Sequence, residues 1–187
     1  MPLPESKFSR QLSHSRNVKA EAFKRSDGFW EIDIQLFDVK TKIAKLASGI
    51  RNPGDAIHDL WLRIVIDISF NIHDVESSFD AVPYQGYCGQ IKLSYKKLIG
   101  LNLLKNFRRN VRERLSGLDG CTHLTELSGF LPTVAVQAFA GEVLPTQGTV
   151  KDFKEEKIPF QLDKCHALNR SGNAVKKYYP KWFIKTK

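Results

Sequence analysis

Residues 57–68 read IHDLWLRIVIDI and carry the clearest structural signal in the chain. From Leu60 onward, apolar side chains at the even positions alternate with a mixed row at the odd positions, namely Trp61, Arg63, Val65 and Asp67. Because successive side chains of a strand point to opposite faces, this alternation predicts a strand with one buried face. The strand is entered through His58-Asp59, so the segment also brings two groups capable of metal binding to its start.

Neighbouring segments predict partners for this strand. Residues 30–36 alternate in the same way, and residues 16–25 precede them across Ser26-Asp27-Gly28, a typical hairpin turn. Residues 70–79 predict a further strand whose alternation slips once, as at a β-bulge. Residues 38–52 have no clear period. Together these segments predict an antiparallel sheet of about four strands, arranged as a meander or as paired hairpins.

From residue 86 the spacing of apolar residues changes to that of helices. Residues 86–100 predict a first helix that ends at Gly100, and Phe107, Val111 and Leu115 form the apolar stripe of a second. A third helix is expected over residues 121–139, with Pro132 kinking or interrupting it. Strands followed by helices predict an α+β fold in which the helices pack on one face of the antiparallel sheet.

Composition divides the chain into four parts. Residues 1–13 are polar and predict a flexible lead-in, whereas residues 14–144 predict a single α+β domain. Residues 145–157 are polar and charged, which is typical of a connector. Residues 158–187 end in aromatic side chains, and we expect this C-terminal segment to dock back on the domain.

The chain is basic, with a formal net charge of +9 over 187 residues. A basic surface favours an anionic partner, although charges spread along the chain also fit an ordinary solvated face. The densest run, residues 105–114, matches no nucleic-acid motif and is interrupted by Glu113. We therefore expect a small-molecule partner, with a homodimer as a candidate assembly, and no nucleic acid.

The sequence also bears on compartment. No apolar run reaches the length that spans a membrane, and the first residues lack the apolar core of a secretion signal. We therefore expect a cytoplasmic protein that does not bind a membrane. Three cysteines in a chain without a secretion signal argue against a disulfide framework and leave thiol or metal chemistry open.

The main functional candidate is the segment Gly120-Cys121-Thr122-His123-Leu124-Thr125-Glu126. Cys121 falls at the predicted start of a helix, where backbone N–H groups and the helix dipole favour the thiolate. His123 and Glu126 follow within the first turns and are candidates for proton transfer, while Cys121 is a candidate nucleophile. We interpret the segment as one part of a metal or catalytic site.

Two other cysteines and one histidine–aspartate pair extend this set. Cys88 follows a turn-rich segment, Cys165 is joined to His166, and His58-Asp59 begins the strongest strand. Thiolate and neutral imidazole suit zinc or iron, with a carboxylate or water completing the shell. No paired C-x-x-C, H-E-x-x-H, glycine-rich phosphate loop or nucleophile elbow is present.

These residues also have ordinary structural explanations. Free cysteines are often small buried apolar residues. His58 is in phase with the apolar row and fits a satisfied histidine at the edge of the core. Asp59 shares the other face with Arg63 and fits a simple ion pair.

Four short patterns resemble an uncharacterised bacterial family of unknown function. They are R-x-D-G-x-W at residues 25–30, I-H-D-x-W-x-R at 57–63, G-C-T-H-L at 120–124 and C-H-A at 165–167. The resemblance covers nearly the whole chain. It implies a bacterial cytoplasmic protein encoded near genes for steroid or aromatic catabolism, and it brings no established chemistry.

Residues 54–140 also resemble, more faintly, the U-type iron–sulfur cluster assembly scaffolds. The matching elements are His58-Asp59, Tyr87-Cys88 with Leu98-Ile99-Gly100, and Gly120-Cys121. The chain departs from that family because a histidine replaces the first cysteine, no lysine follows Gly100, and the histidine comes after Cys121. The resemblance thus implies a scaffold-like fold and a mononuclear metal site made from His58 or Asp59, Cys88 and Cys121, with His123 or Cys165 as a fourth ligand.

The leading functional hypothesis is a small zinc- or iron-dependent enzyme, either a hydrolase or a lyase of bacterial catabolism. Three protein ligands would leave an open position for Lewis-acid chemistry. Arg63, Arg112 and Trp61 are candidates for binding an anionic, aromatic or steroid substrate. The alternatives are a non-catalytic iron–sulfur or metal carrier, and a cofactor-free enzyme that uses Cys121 with a histidine base.

Overall fold

The computed structural model describes residues 3–146 and 158–185. The chain divides into two compact units, Met1–Ala135 and Val136–Lys187. Most of the predicted connector, residues 147–157, lies outside the described residues. The docking of the C-terminal segment onto the domain stays a prediction.

Antiparallel strands dominate the first unit. The strands are β1 (His14–Lys24), β2 (Trp30–Lys40), β3 (Ala44–Leu46), β4 (Gly49–Arg51), β5 (Ala56–Ile66) and β6 (Ile72–Ala81). The main sheet has four strands in the order β1-β2-β5-β6, and every neighbouring pair is antiparallel. The predicted four-stranded antiparallel sheet is therefore confirmed. The segment without a clear period contains the end of β2 and the small β3–β4 hairpin.

The pairing of β5 with β6 shifts register twice, where the sequence predicted one slip, and the shift near the start of β6 is a bulge at His73. Val65 pairs with Asp74 and Ile66 pairs with Ile72, so His73 is the extra residue on β6. The extra residue shifts the alternation of side chains by one position. Val75, and not Asp74, therefore lies in the buried row with Ile72.

Helices follow the strands. They are the 3₁₀ helix Cys88–Leu98, α1 (Phe107–Leu115), α2 (Thr122–Ser128), α3 (Leu131–Phe139) and, in the second unit, α4 (Asn173–Tyr178), with three shorter 3₁₀ turns. Two helices stand where the sequence predicted one helix that Pro132 kinks or interrupts. Pro132 is the second residue of α3, where its missing N–H costs no hydrogen bond. None of the described helices is long and apolar enough to cross a membrane.

The core of the first unit lies between one face of the sheet and the helices of the same unit. This helix-side face carries an apolar row of even-numbered residues from β2 and β5, each at most 5% exposed: Trp30, Ile32, Ile34, Leu36, Leu60, Leu62, Ile64 and Ile66. The 3₁₀ helix contacts β6, α2 contacts β2 and β5, and α1 packs on the 3₁₀ helix and α2. The buried side chains of these three helices are Tyr95, Leu98, Phe107, Val111, Leu115, Leu124 and Leu127. The α+β architecture predicted from the order of elements is confirmed. The odd-numbered residues of β2 and β5 form the outer face.

The second unit has a small core of its own. Leu162, Val175 and Tyr179 are buried together, with Leu168, Trp182 and Phe183 packed against them. The Tyr179 hydroxyl donates a hydrogen bond to the Thr146 carbonyl at 3.0 Å and accepts one from Gln161 at 3.1 Å. Aromatic side chains of the C-terminal segment thus pack within their own unit.

Candidate functional site

The candidate site is built around a buried carboxylate, Asp38. The helix-side row of β2 runs from Trp30 through Leu36 to Asp38, and the aspartate is as buried as its apolar neighbours, with 2% exposed. An ionised carboxylate in such a place is costly unless hydrogen bonds and opposite charge compensate for the lost water. The identity of its partners therefore decides what the site can do.

Arg16 is the principal partner. It lies directly opposite Asp38 on β1, and its Nε and Nη2 atoms donate to the two carboxylate oxygens at 2.8 Å each. Burial alone would raise the pKa of Asp38, but the hydrogen bonds and charge of Arg16, with added bonds from His58 and His14, lower that pKa to about 2. Asp38 is therefore ionised at neutral pH.

His58 provides the second partner, from β5. It lies opposite Asp38 across the β2–β5 pair, and its Nδ1 is 3.0 Å from Asp38 Oδ2. Burial lowers the pKa of His58 despite the hydrogen bond to Asp38, so the ring is neutral at pH 7. Because a carboxylate can only accept, Nδ1 carries the proton and Nε2 keeps a free lone pair.

His123 approaches from α2 and contacts the same imidazole. Its ring centroid lies 3.9 Å from that of His58, with 38° between the planes. Burial lowers the pKa of His123, and the nearby His58 and Arg16 lower it further. Two neutral imidazoles, tilted relative to each other, therefore lie in contact beside an ionised carboxylate. His14 also contacts the carboxylate, with its Nε2 3.1 Å from Asp38 Oδ1. We call Asp38 and its three hydrogen-bonding partners, His14, Arg16 and His58, the Asp38 cluster.

Asp38, His58 and His123 are a candidate metal-ligand triad. One ligand atom from each lies within 4.8 Å of the others. Around a tetrahedral zinc ion, ligand atoms are about 2.1 Å from the metal and so about 3.5 Å from one another. The three groups would have to approach by about one ångström, which modest side-chain rotation can supply.

Asp38 suits an orienting role better than direct ligation. Arg16 bonds both of its oxygens, so a metal ion would have to compete with a guanidinium for either one. The hydrogen bond from His58 Nδ1 leaves Nε2 of that ring for the ion, the usual arrangement of a carboxylate behind a metal-binding histidine. The two imidazoles are thus the most available ligands.

The structure gathers only some of the residues singled out in the sequence. His58 and His123 belong to the triad. Asp59 is on the outer face, where its carboxylate accepts a hydrogen bond from Gln35 Nε2 at 2.7 Å. Among the described residues, the triad includes no cysteine.

The three cysteines occupy separate elements. Cys88 begins the 3₁₀ helix that follows β6, and Cys165 is exposed in the second unit. Cys121 is the N-cap residue of α2, and its Sγ is 3.9 Å from His123 Nδ1. Within the described part of the chain, Cys121 is the cysteine whose sulfur lies within hydrogen-bonding range of a triad residue. The ligand set implied by the iron–sulfur likeness stays a prediction.

Tyr95 holds the start of α2 in place. Its side chain is completely buried, and its hydroxyl contacts both backbone groups of Cys121, accepting from the N–H at 3.0 Å and donating to the carbonyl at 2.9 Å. The same oxygen is 3.0 Å from Thr125 Oγ1. Burial raises the pKa of Tyr95 to about 12, so the hydroxyl stays protonated. This anchor fixes the helix turn that carries His123.

Glu126 connects the Asp38 cluster to a cavity. Its Oε2 accepts a hydrogen bond from Arg16 Nη1 at 3.2 Å, while its side chain remains 61% exposed. Glu126 and Arg112 both line a cavity of about 410 Å³ between α1 and α2, together with Phe107, Arg108, Val111 and Thr122. We call this the α1–α2 cavity. Its lining combines cationic, hydroxyl and apolar groups.

The other two candidates for substrate binding lie elsewhere. Trp61 and Arg63 line a separate cavity of about 620 Å³ with Asp33 and Glu76. Arg63 already makes two hydrogen bonds to Asp33, each at 2.7 Å. The arginines proposed for substrate binding thus belong to two different cavities, and only Arg112 shares one with Glu126.

Sequence reasoning missed Asp38, Arg16 and His14. Asp38 continues the alternation of residues 30–36 by one step, so extending the strand would have placed a carboxylate in the buried row. Arg16 lay at the start of a predicted strand, and His14 lay at the boundary with the lead-in. No local pattern signals that these residues meet.

The chain was compared with curated proteins, solved structures and models of protein families. The chain has no significant match among curated proteins or among solved structures. A family model described as "Protein of unknown function (DUF2889)" matches residues 14–137. That range contains every residue of the Asp38 cluster. The resemblance to a family of unknown function is confirmed: the chain belongs to the DUF2889 family.

Proposed function

We propose that this protein binds zinc or iron through His58 and His123, with Asp38 behind them, and acts as a small metal-dependent hydrolase or lyase. The observation that carries the proposal is the triad, in which three different elements supply ligand atoms within 4.8 Å of one another. Convergence of two imidazoles and a carboxylate from β2, β5 and α2 is more than packing requires.

Protonation states support the proposal. Burial lowers the pKa of both His58 and His123, so the neutral form that binds metals is present at pH 7. Asp38 stays ionised because its pKa is lowered to about 2. The protons that would otherwise compete with a metal ion are thus already absent.

The surrounding residues supply the remaining functions. A bound metal ion would supply Lewis-acid activation of water or of a substrate carbonyl. Glu126 is then the candidate for proton transfer, because it is solvent-accessible and its hydrogen bond to Arg16 links it to the cluster. Arg112 is placed to bind an anionic group in the α1–α2 cavity, and the buried side chains of Phe107 and Val111 form part of its apolar lining.

The proposed setting follows the family resemblance. We place the protein in the bacterial cytoplasm, in the catabolism of a small anionic compound of aromatic or steroid type. The basic composition and the arginine in the α1–α2 cavity support an anionic substrate.

Metal analysis tests the binding step. The purified wild-type chain is stripped with chelator, reloaded with zinc or ferrous iron, and assayed by elemental analysis and by titration calorimetry. One ion per chain is expected for wild type, with His58→Ala and His123→Ala losing most of the affinity. His73→Ala is the matched control, since His73 also bonds an aspartate, Asp67, at 2.8 Å but lies outside the triad.

Two results would contradict the proposal of a metal site. One is wild-type protein that takes up neither metal in stoichiometric amount. The other is a melting temperature that chelator and added metal leave unchanged, while the His58→Ala variant binds as wild type does.

A second candidate is cofactor-free thiol catalysis, favoured by the 3.9 Å approach of Cys121 Sγ to His123 Nδ1. A histidine at this position can take the thiol proton and activate the sulfur. The rate of Cys121 alkylation, followed by mass spectrometry against pH, tests it. The rate at neutral pH should fall in His123→Ala and stay unchanged in chelator, and an equal rate in wild type and variant would rule it out.

A further inference from the structure

One edge of the four-stranded sheet is formed by β1. β1 is 11 residues long and ends the sheet, with β2 as its only strand partner among residues 3–146 and 158–185. It pairs with β2 without a register shift and contains no proline. A long and regular edge is a template for pairing with another chain unless something covers it.

The backbone groups that face this edge can be identified. The Ser13 carbonyl accepts from the Thr41 N–H, and the Arg25 N–H donates to the Phe29 carbonyl, so odd-numbered residues turn their backbone groups toward β2. Along an antiparallel strand these directions alternate. The even-numbered residues, from His14 to Lys24, therefore present their N–H and C=O groups outward.

We propose that β1 pairs antiparallel with β1 of a second copy, with Ala20 opposite Ala20, and joins two four-stranded sheets into one. In this two-fold arrangement Lys19 lies opposite Glu21 of the second copy, and Glu21 opposite its Lys19. Odd-numbered residues form the non-hydrogen-bonded pairs of the new ladder, in which opposite side chains approach most closely.

Charge selects this register over its neighbours. A shift by one step in either direction would place Lys19 opposite Lys19 or Glu21 opposite Glu21, and like charges directly opposite are unfavourable. Within each chain Lys19 Nζ is already 2.9 Å from Glu21 Oε2, and both side chains are about half exposed. The proposed pairing brings two such ion pairs into one group of four alternating charges.

The helix-side face of β1 is also self-complementary. Val18, Ala20 and Ala22 form an apolar row there, and Val18 is 40% exposed. In the proposed register Val18 lies opposite Ala22 of the second copy, so the row continues across the interface without a polar interruption. Small side chains let the two strands approach closely.

Two equivalent pairs of like charges remain. Arg16 lies opposite Lys24 of the second copy, but Asp38 and Glu126 already hydrogen-bond its guanidinium. Its charge is therefore largely compensated within its own chain, and the pair opposes dimerisation less than an uncompensated one would.

Charge exchange gives the decisive test. Sedimentation velocity and native mass spectrometry should find a wild-type dimer. Lys19→Glu and Glu21→Lys should each weaken dimerisation by about tenfold, because each replaces two attractive cross-strand pairs by two repulsive ones. Mixing the two variants should restore a heterodimer, because one chain then carries two glutamates and the other two lysines. Neither chain regains its internal ion pair, so the restored contact must lie between chains.

Two further variants complete the design. Ala20→Pro should abolish the dimer while leaving the fold intact, since the outward N–H of Ala20 takes no part in the β1–β2 ladder. Lys45→Glu, with the same charge change on β3, should dimerise as wild type does. A wild type that is monomeric at its highest soluble concentration would overturn the proposal, as would charge variants that dimerise normally or a mixture that forms no heterodimer.

Discussion

Two aspartates of β2 bind arginines in the same way on opposite faces of the sheet. On the outer face, Arg63 Nε and Nη2 donate to the two oxygens of Asp33 at 2.7 Å each. On the helix-side face, the same two atoms of Arg16 donate to Asp38 at 2.8 Å each. The hydrogen-bond geometry is nearly identical, and only the surroundings differ.

Burial separates the two pairs. The Asp38 side chain is 3% exposed, whereas that of Asp33 is 16% exposed, and Arg63 is more exposed than Arg16. Water can solvate the outer pair when it breaks, but it cannot reach Asp38 in the same way. Breaking the buried pair should therefore lower the free energy of unfolding more than breaking the outer pair. Two histidines from the neighbouring strands, His14 and His58, also bond the buried aspartate.

Replacing Arg16 is expected to have the largest effect. Arg16→Met leaves a buried carboxylate with only its histidine partners, so the free energy of unfolding should fall by about 3 kcal/mol, the low end for breaking a buried pair because Arg16 itself is partly exposed. Urea unfolding followed by tryptophan fluorescence measures it. Equal losses in Arg16→Met and Arg63→Met would contradict the contrast between the two pairs.

The second-largest expected effect is the loss, at low pH, of the stability that ionised Asp38 contributes to the fold. Its pKa falls from an ordinary 3.8 to about 2 in the folded protein. A lowered carboxyl pKa stabilises the fold fully above pH 3.8, and this contribution, about 2 kcal/mol, is lost as the pH falls toward 2. Unfolding of metal-free protein across this range measures the loss.

Asp67 provides the control for that titration. Burial would raise its pKa, but hydrogen bonds from His73 and Asn71 lower the value to about 2, so it titrates in the same range. Asp38→Asn should remove part of the acid dependence and Asp67→Asn another part. If Asp38→Asn keeps the full wild-type dependence, Asp38 is not held in its ionised form by the fold.

Removing His58 should have a smaller effect in metal-free protein. His58→Ala loses the hydrogen bond to Asp38 and the ring contact with His123, and we expect a loss of about 1.5 kcal/mol. His73→Ala, whose ring bonds Asp67 on the exposed side, should lose clearly less. Thermal unfolding of both variants in chelator makes the comparison, and the reverse order would be inconsistent with a buried Asp38 cluster.

The outer pair should matter least. Arg63→Met is expected to lower the free energy of unfolding by about 0.5 kcal/mol, as for other exposed ion pairs, and the difference from wild type should shrink in high salt. Denaturation at low and high ionic strength tests this. A salt-independent loss as large as that of Arg16→Met would mean that the outer pair is shielded from water.

Much of the fold could be predicted because its signals are local. The alternation in residues 57–68 and 30–36 indicated two central strands, and the stripe of Phe107, Val111 and Leu115 indicated α1. The start of α2 at Cys121-His123 was also predicted. The limits of each strand were less certain, since Asp38 interrupts the apolar row and resembles the start of a loop.

The site was harder to predict because its members come from distant parts of the chain. The sequence pointed to His58 and His123 but paired them with cysteines, which the structure leaves on separate elements. A cysteine near the start of a helix can be chosen as a candidate site residue from the sequence, because its chemistry is distinctive. A carboxylate within a strand does so only once its burial is known.

Local sequence patterns were enough to predict the rows of apolar residues, the order of strands and helices, and the presence of His58 and His123 near the starts of their elements. These follow from periods of two and 3.6 residues, which depend on near neighbours in the chain. The meeting of Arg16, His58 and His123 at Asp38 could not be predicted from such patterns. Strand register and helix docking set that meeting, and both depend on packing between segments far apart in the chain.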